Sequence, residues 1–367
     1  MLNQTLPALA GACAAFAFGL LATRVARRLG WVDGGAGAHK LAGERWPLTG
    51  GAALLAGWLV AELTARASTG ASTSLFEAAE LSALLERALG AEVRLWPLGA
   101  VCAAFALGTL DDLLEDGLSA GAKLCGQALC GLVLVAPSLL LYGASSSALL
   151  LAVLAAAGAC VALNCINTFD NADGAALGVG WLGLSGVPAL AAPLVGFAPL
   201  NLLSDRPNTW RRKAILGDAG SHALGLVLLL HPLAWPALTL PALDLARLCW
   251  VRWRLGEPVW RGDRRHLAHR FAQRGTAPWR VTLQLAAIAA PAALAPAGWG
   301  IVAGVFVSAA LFVWALALSR APQRSAAPES NVAGELETSA LGRAGGGAAA
   351  TTACTDADVS AAGTARA

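Results

Sequence analysis

Long apolar segments alternate with short polar loops along most of the chain. A membrane-spanning helix needs about 20 consecutive apolar residues, and seven segments approach that length. They are residues 6–23, 50–65, 95–110, 124–142, 148–169, 281–297 and 299–319. Two further apolar stretches are 174–203 and 221–250. Each must cross the membrane twice if the polar segments before and after it lie on the same side of the membrane. The pattern therefore predicts an all-α polytopic membrane protein with about 11 transmembrane helices.

The two stretches that each need two passes are short for that purpose. Pro188 and Pro193 interrupt the first, and Pro232 and Pro236 interrupt the second. Because proline inside a helix kinks or ends it, we expect short, kinked helices in both places.

Composition agrees with a membrane protein and excludes other classes. Only 13% of the residues are charged and 57% are hydrophobic, whereas a soluble domain carries roughly 25% charged residues. The net charge of +3 comes without a basic tract interleaved with aromatic residues, which argues against nucleic-acid binding. The eight cysteines form no CxxC pair, so neither a disulfide framework nor a zinc site is indicated.

The basic residues predict how the chain crosses the membrane. Arginine and lysine concentrate in the 24–46 and 252–280 loops, which the positive-inside rule places in the cytoplasm. The N-terminus then lies outside and the C-terminus lies in the cytoplasm, as in a multi-pass protein of the cell inner membrane. We expect residues 1–320 to form the membrane domain and the Ala/Gly/Ser/Thr-rich residues 321–367 to form a disordered tail.

Adjacent acids end the third apolar segment. Asp111 and Asp112 could be solvated carboxylates at a membrane boundary. A helix C-terminus disfavours negative charge, however, by a few tenths of a kcal/mol to about 1 kcal/mol each. Two acids at this place indicate a cation or phosphate chemistry nearby.

A polar stripe ends the fifth apolar segment. Asn164, Asn167, Asp170 and Asn171 lie three or four residues apart, on one face of a helix. Polar groups at the end of a span face a protein interior or a watery cavity. Hydrogen bonding between helices would explain one or two asparagines, but not the added acids Asp170 and Asp173.

Further polar motifs occur in the second half of the chain. In the motif Gly217–Ser221, Asp218 precedes an apolar helix, where glycine backbone groups can approach an anion and a carboxylate can hold a metal. Downstream, His266 and His269 follow Arg264 and Arg265. Only three of the 26 basic residues are lysines, and all three adjoin these motifs. They are Lys40, Lys123 and Lys213.

Taken in order, these residues resemble the motifs of the polyprenyl-phosphate N-acetylhexosamine-1-phosphate transferases, which belong to glycosyltransferase family 4. The resemblance runs from about residue 30 to residue 275. The matching parts are Val32–Asp33 through Gly50–Gly51, Leu110–Asp112 with Lys123, Asn164 through Gly174, Gly217–Ser221, and Pro241 and Asp244 leading into the loop with His266 and His269.

The resemblance implies transfer of a sugar 1-phosphate, with N-acetylglucosamine as the favoured sugar, from a UDP-N-acetylhexosamine to a polyprenyl (undecaprenyl) phosphate. UMP would be released, and the product would initiate a lipid-linked glycan of the cell envelope. It also implies Mg²⁺, with Mn²⁺ as the alternative. By resemblance, the catalytic residues are Asp111, Asp112, Asp170 and His266. The residues that bind substrate are Lys40, Lys123, Asn164, Asp173, Lys213, Arg264, Arg265 and His269, and those that bind metal are Asp218 and Asn167.

Some positions depart from the family pattern. His39 precedes Lys40 where an arginine is usual, and Ala42 and Ala268 stand where histidines are usual. These departures leave open an inactive or reduced family member that acts as a membrane scaffold. The other alternative is a membrane transporter, because intramembrane Asp and Asn can also carry ions.

Overall fold

The computed structural model describes most of the chain. The described residues are 2–33, 46–69, 75, 96–114, 116–143, 145–202, 214–262 and 264–319. About 81% of them are helical, which confirms the all-α class. Lys40, Lys213 and the expected tail at 321–367 lie outside the described residues.

The described residues form twelve α-helices, one 3₁₀ helix and a two-stranded antiparallel sheet. The helices are α1 (Leu2–Leu29), α2 (Gly50–Thr69), α3 (Trp96–Leu113), α4 (Ala120–Tyr142), α5 (Ser146–Phe169), α6 (Ala175–Gly183), α7 (Pro188–Leu202), α8 (Gly217–Leu230), α9 (Thr239–Arg254), α10 (Leu267–Gln273), α11 (Pro278–Ala293) and α12 (Trp299–Leu318). The 3₁₀ helix is Pro232–Leu238, and the strands are β1 (Val32–Asp33) and β2 (Trp46–Pro47).

The number of membrane-spanning helices differs from the expectation. Among the described residues, four helices are long and apolar enough to cross a membrane, so about 11 spans are not supported. They are 4–29, 120–140, 146–169 and 299–318. The two proline-containing stretches account for much of the difference. Helices α7 and α8 have 15 and 14 residues, and 14 residues extend about 21 Å, which is less than the hydrocarbon thickness of about 30 Å.

Helix α8 lies at the centre of the described fold. Almost every side chain from Ala219 to Leu230 is buried, because α2, α3 and α5 pack around it. Small residues permit this close packing. A Cβ added at Gly51 of α2 would lie 2.6 Å from the backbone nitrogen of Gly220, and one added at Gly225 would lie 2.9 Å from the Ala162 carbonyl oxygen of α5.

Backbone hydrogen bonds join the starts of α2 and α8. The Ile215 N–H donates to the Pro47 carbonyl at 3.0 Å. In return, the N–H groups of Gly50 and Gly51 donate to the carbonyls of Ile215 and Leu216 at 3.0 and 3.1 Å. Strand β2 pairs antiparallel with β1. The residues that follow β2 therefore place the start of α2 directly beside the Gly217–Ser221 motif.

The close approach of α3 to α8 generates a stability prediction. A Cβ at Gly108 would lie 2.5 Å from the Ala219 Cα and overlap the Asp218 backbone. We expect Gly108→Ala to destabilise the protein by about 1–3 kcal/mol, the usual cost of overpacking. Thermal unfolding of the purified protein, followed by size-exclusion chromatography, measures this effect.

Gly99, in the same helix, is the matched control, because a Cβ there meets nothing within 4 Å. Gly99→Ala should leave stability unchanged or raise it by about 0.5–1 kcal/mol, since alanine is the better helix former. Equal unfolding temperatures for the two variants would contradict the packing of α3 on α8.

Candidate functional site

Three helix ends bring charged side chains together at one end of the fold. Asp111 ends α3, Lys123 lies in the first turn of α4, and Asp218 lies in the first turn of α8. The Lys123 ammonium donates to Asp111 Oδ2 at 2.8 Å and also to Asp218 Oδ2. With Asp112, these residues form what we call the acidic cluster.

Asp112 caps helix α8 from the end of helix α3. Its Oδ1 accepts from the Asp218 N–H and its Oδ2 from the Ala219 N–H, each at 3.0 Å. Helix α8 has no side-chain cap at its own N-cap residue, so Asp112 supplies one. Gly217 makes this approach possible: its φ is +72°, and a Cβ there would lie 2.8 Å from Asp112 Oδ2.

The turn between α3 and α4 sets the position of Lys123. Asp111 Oδ1 accepts from the Leu118 N–H at 2.6 Å, and the Ser119 hydroxyl caps α4 by accepting from the Ala122 N–H. The Lys123 side chain is only 20% exposed. Asp111 therefore accepts hydrogen bonds through both of its oxygens, and it holds the Lys123 ammonium against the C-terminal end of α3.

The end of α5 contributes Asn167 to the acidic cluster. Its side chain interacts with the Asp218 carboxylate, although its buried amide nitrogen does not meet the geometry of a hydrogen bond. Asn164 lies one turn deeper in the fold and donates to Gln127 Oε1 at 2.5 Å and to the Cys160 carbonyl at 2.7 Å. Of these two asparagines, Asn167 therefore lies at the acidic cluster and Asn164 lies in the core.

Asp170 and Asp173 lie just beyond the end of α5. Asp170 is the C-cap residue of that helix and is half-buried. Asp173 is buried, and its carbonyl accepts from the Thr282 hydroxyl of α11. The next residue, Gly174, donates its N–H to Asn201 Oδ1 at 2.6 Å. This segment is therefore tied to both α7 and α11.

His266 belongs to a second group of contacts, which we call the His cluster: Asp244, Arg247 and His266. Asp244 of α9 is 2% exposed. Its Oδ2 lies 3.2 Å from His266 Nδ1 and accepts from the Leu267 N–H at 3.3 Å. Arg247 donates to Asp244 Oδ1 through Nε at 3.1 Å and Nη2 at 2.8 Å.

The electrostatics of the His cluster favour an ionised Asp244. Burial raises the pKa of the Asp244 carboxyl, but the hydrogen bond from His266 and the charge of Arg247 outweigh burial and hold that pKa below its ordinary value. Arg247 also donates to the Arg265 carbonyl at 2.6 Å. Asp244 and Arg247 therefore hold the segment before α10 against α9.

The remaining predicted residues of this loop surround the His cluster. The His269 ring lies edge-on to the His266 ring, with 6.0 Å between centroids. Arg265 pairs with Glu257 across the loop, and Arg264 is exposed. The structure therefore groups Asp111, Asp112, Lys123, Asp218 and Asn167 in one place, whereas His266 has Asp244 as its carboxylate partner.

Three polar residues in these groups were missed by the sequence analysis. They are Gln127, His222 and Arg247. Each lies three or four residues after a charged residue of the site, namely Lys123, Asp218 or Asp244. That spacing places each pair on one helical face, and it is the signal that could have identified them.

Comparison of the chain with protein-family models and with curated proteins finds no match.

The His cluster generates a prediction about stability and pH. Asp244→Asn leaves Arg247 without its buried partner, so we expect a loss of about 3–5 kcal/mol, typical of a broken buried pair. The Asp244 pKa is lowered by folding, so its contribution is present above the ordinary aspartate pKa and is lost as the pH falls through the folded value. The stability difference between wild type and variant, measured by thermal unfolding, should therefore shrink at acidic pH.

Glu257→Gln is the control for this prediction. It removes the Arg265 partner, but both of those side chains are about one-third exposed, and such pairs contribute about 0–1 kcal/mol. A larger loss for Glu257→Gln than for Asp244→Asn at neutral pH would contradict the role assigned to Asp244.

Proposed function

We propose that the protein is a membrane enzyme that transfers a sugar 1-phosphate, in the first instance N-acetylglucosamine 1-phosphate, from a UDP-N-acetylhexosamine to a polyprenyl phosphate. The observation that carries the proposal is the acidic cluster, in which carboxylates from α3 and α8 converge on the Lys123 ammonium. Phosphoryl transfer depends mainly on positioning and on neutralising phosphate charge. A fixed cation flanked by carboxylates suits both tasks.

The donor set of the acidic cluster fits Mg²⁺, or Mn²⁺ as the alternative. No group of three His, Cys, Asp or Glu side chains within the described residues is arranged to hold a metal ion. Mg²⁺, however, commonly uses one or two carboxylates together with substrate phosphates and waters. Asp218 and Asn167 would hold it through their side-chain oxygens, and the nearness of the Asn167 side chain to the Asp218 carboxylate supports this assignment. When bound, the ion would neutralise charge on the diphosphate.

The proposed reaction breaks one bond and forms one bond at phosphorus. An oxygen of the lipid phosphate attacks the β-phosphorus of the UDP-sugar, and the bond from that phosphorus to UMP breaks. Lys123 would contact the lipid phosphate, and Asp111 would keep the lysine in place through its 2.8 Å hydrogen bond. Asp112 would act by holding the first turn of α8, and with it Asp218, in position.

The other predicted residues take the roles that the resemblance assigns. Asp170 and Asp173 would position the uridine. Asn164 has substrate binding as its role by resemblance, and its amide donates to Gln127 and to the Cys160 carbonyl. His266, His269, Arg264 and Arg265 would contact the sugar and diphosphate, and Lys40 and Lys213 would bind phosphate. UDP-sugars are cytoplasmic metabolites, so the site would face the cytoplasm from the cell inner membrane, with the N-terminus outside.

The test is an exchange assay. Membranes containing the protein should release UMP from a UDP-N-acetylhexosamine in the presence of polyprenyl phosphate and Mg²⁺, and chelation should stop the release. We expect Asp218→Asn to lower the rate by about 100-fold or more, as loss of a preorganised electrostatic group does. Asp116→Asn is the matched control, because Asp116 is an exposed carboxylate in the neighbouring turn, and it should keep the rate within about twofold.

Two outcomes would contradict the proposal. Full activity of Asp218→Asn would remove the metal assignment. A correctly folded wild-type protein that releases no UMP from any of several UDP-sugars would exclude the transferase. That result would favour a non-catalytic scaffold or a transporter.

A further inference from the structure

A chain of polar side chains runs from the acidic cluster into the core. It begins at the backbone carbonyl of Asp218 and passes through His222 and Gln127 to Asn164 and the carbonyl of Cys160. His222 and Gln127 are both 0% exposed. Polar groups in such a place are costly unless each has a partner, so their arrangement requires an explanation.

The two ends of this chain determine the direction of every hydrogen bond in it. A backbone carbonyl can only accept. His222 Nδ1 lies 2.6 Å from the Asp218 carbonyl oxygen, so Nδ1 carries a proton and donates. At the other end, the Asn164 amide nitrogen donates to the Cys160 carbonyl at 2.7 Å, and this same nitrogen donates to Gln127 Oε1 at 2.5 Å.

The middle link agrees with both ends. Gln127 Nε2 lies 3.0 Å from His222 Nε2, and an amide nitrogen only donates, so His222 Nε2 accepts. Turning the Gln127 amide over would place two donors against each other at Asn164. It would also place Oε1 against the lone pair of His222 Nε2. One arrangement alone satisfies the chain, and in it His222 is neutral, with its proton on Nδ1.

This arrangement holds the Asp218 backbone from two sides. The Asp218 N–H donates to Asp112 Oδ1 at 3.0 Å, and its carbonyl accepts from His222. With both backbone groups held, the carboxylate has a defined direction toward Lys123 and Asn167. Groups that orient a ligating or catalytic side chain in this way commonly change metal affinity or activity by about 10–100-fold when they are removed.

We propose that His222 is a positioning residue, held as the neutral Nδ1–H tautomer by Gln127 and Asn164, and that it sets the direction of the Asp218 carboxylate. The effect on catalysis rests on the proposed function. The tautomer and the hydrogen-bond chain do not depend on it.

The first test is spectroscopic and needs no activity. The full-length protein is labelled with ¹⁵N-histidine and reconstituted in lipid, and solid-state NMR is recorded at neutral pH. The signals of His222 are assigned as those missing from His222→Gln. We expect a protonated Nδ1 and an unprotonated Nε2. A proton on Nε2, alone or together with Nδ1, would overturn the proposal.

The second test compares two substitutions of His222 in the exchange assay. His222→Gln keeps a neutral donor on one side and an acceptor on the other, whereas His222→Leu removes both. We expect His222→Leu to raise the half-saturating Mg²⁺ concentration or lower kcat by about 10–100-fold, with the KM for the UDP-sugar within about twofold. His222→Gln should recover most of that loss.

The outcomes separate this proposal from the proposed function. If His222→Gln is as impaired as His222→Leu, or if neither is impaired, His222 does not act by positioning. If His222→Leu does not fold, Gln127→Met cuts the neighbouring link and takes its place. If the wild type itself is inactive, the proposed function fails, while the NMR result still decides on the tautomer and the hydrogen-bond chain.

Discussion

The arrangement of the site depends on one interaction, the capping of helix α8 by Asp112 at the end of α3. An acid at a helix C-terminus is unfavourable because of its own helix dipole, and the first N–H groups of α8 lack partners within that helix. The two unfavourable features compensate each other. The Asp112 oxygens accept hydrogen bonds from the first N–H groups of α8, and these N–H groups in turn stabilise the Asp112 charge. The same contact places Asp218 beside Asp111, the neighbour of Asp112, and therefore within reach of Lys123.

Charge balance at the acidic cluster bears on the proposed phosphate chemistry. Three carboxylates and one ammonium meet at the acidic cluster, and the positive end of the α8 dipole contributes about half a charge. With all three carboxylates ionised, the cluster would carry an excess of negative charge, which a divalent cation would reduce. Burial and the neighbouring Asp218 raise the pKa of Asp112 to about 7, so this excess grows as the pH rises through that value. A diphosphate would approach such a site only together with that cation. Under the proposed function, the local charges would favour joint binding of metal and phosphate over binding of either one alone.

The length of the apolar segments predicted the helices well because each helix is a local property of its own segment. All seven long apolar segments coincide with helices, α1–α5, α11 and α12. The expected number of about 11 spans is not supported, because the two proline-containing stretches form short helices and because α2, α3 and α11 are not among the helices that are long and apolar enough to span. In the site, Asp111, Asp112, Lys123 and Asp218 were identified by motif. Gln127 and His222 were not, although each lies four residues after Lys123 or Asp218, because only the structure shows that they bond to each other between α4 and α8.

The residues that the sequence analysis missed link the site to the core. A buried polar chain stabilises a fold only when every member is satisfied, and a partly satisfied chain is worse than an apolar one. Gln127 on α4, His222 on α8 and Asn164 on α5 satisfy one another only in a single register of the three helices. A slip of any one of these helices would leave buried groups unpaired. The chain therefore fixes the relative heights of three helices, and two of them, α4 and α8, carry Lys123 and Asp218. The geometry at the acidic cluster is consequently set one turn deeper, where water does not compete for the hydrogen bonds.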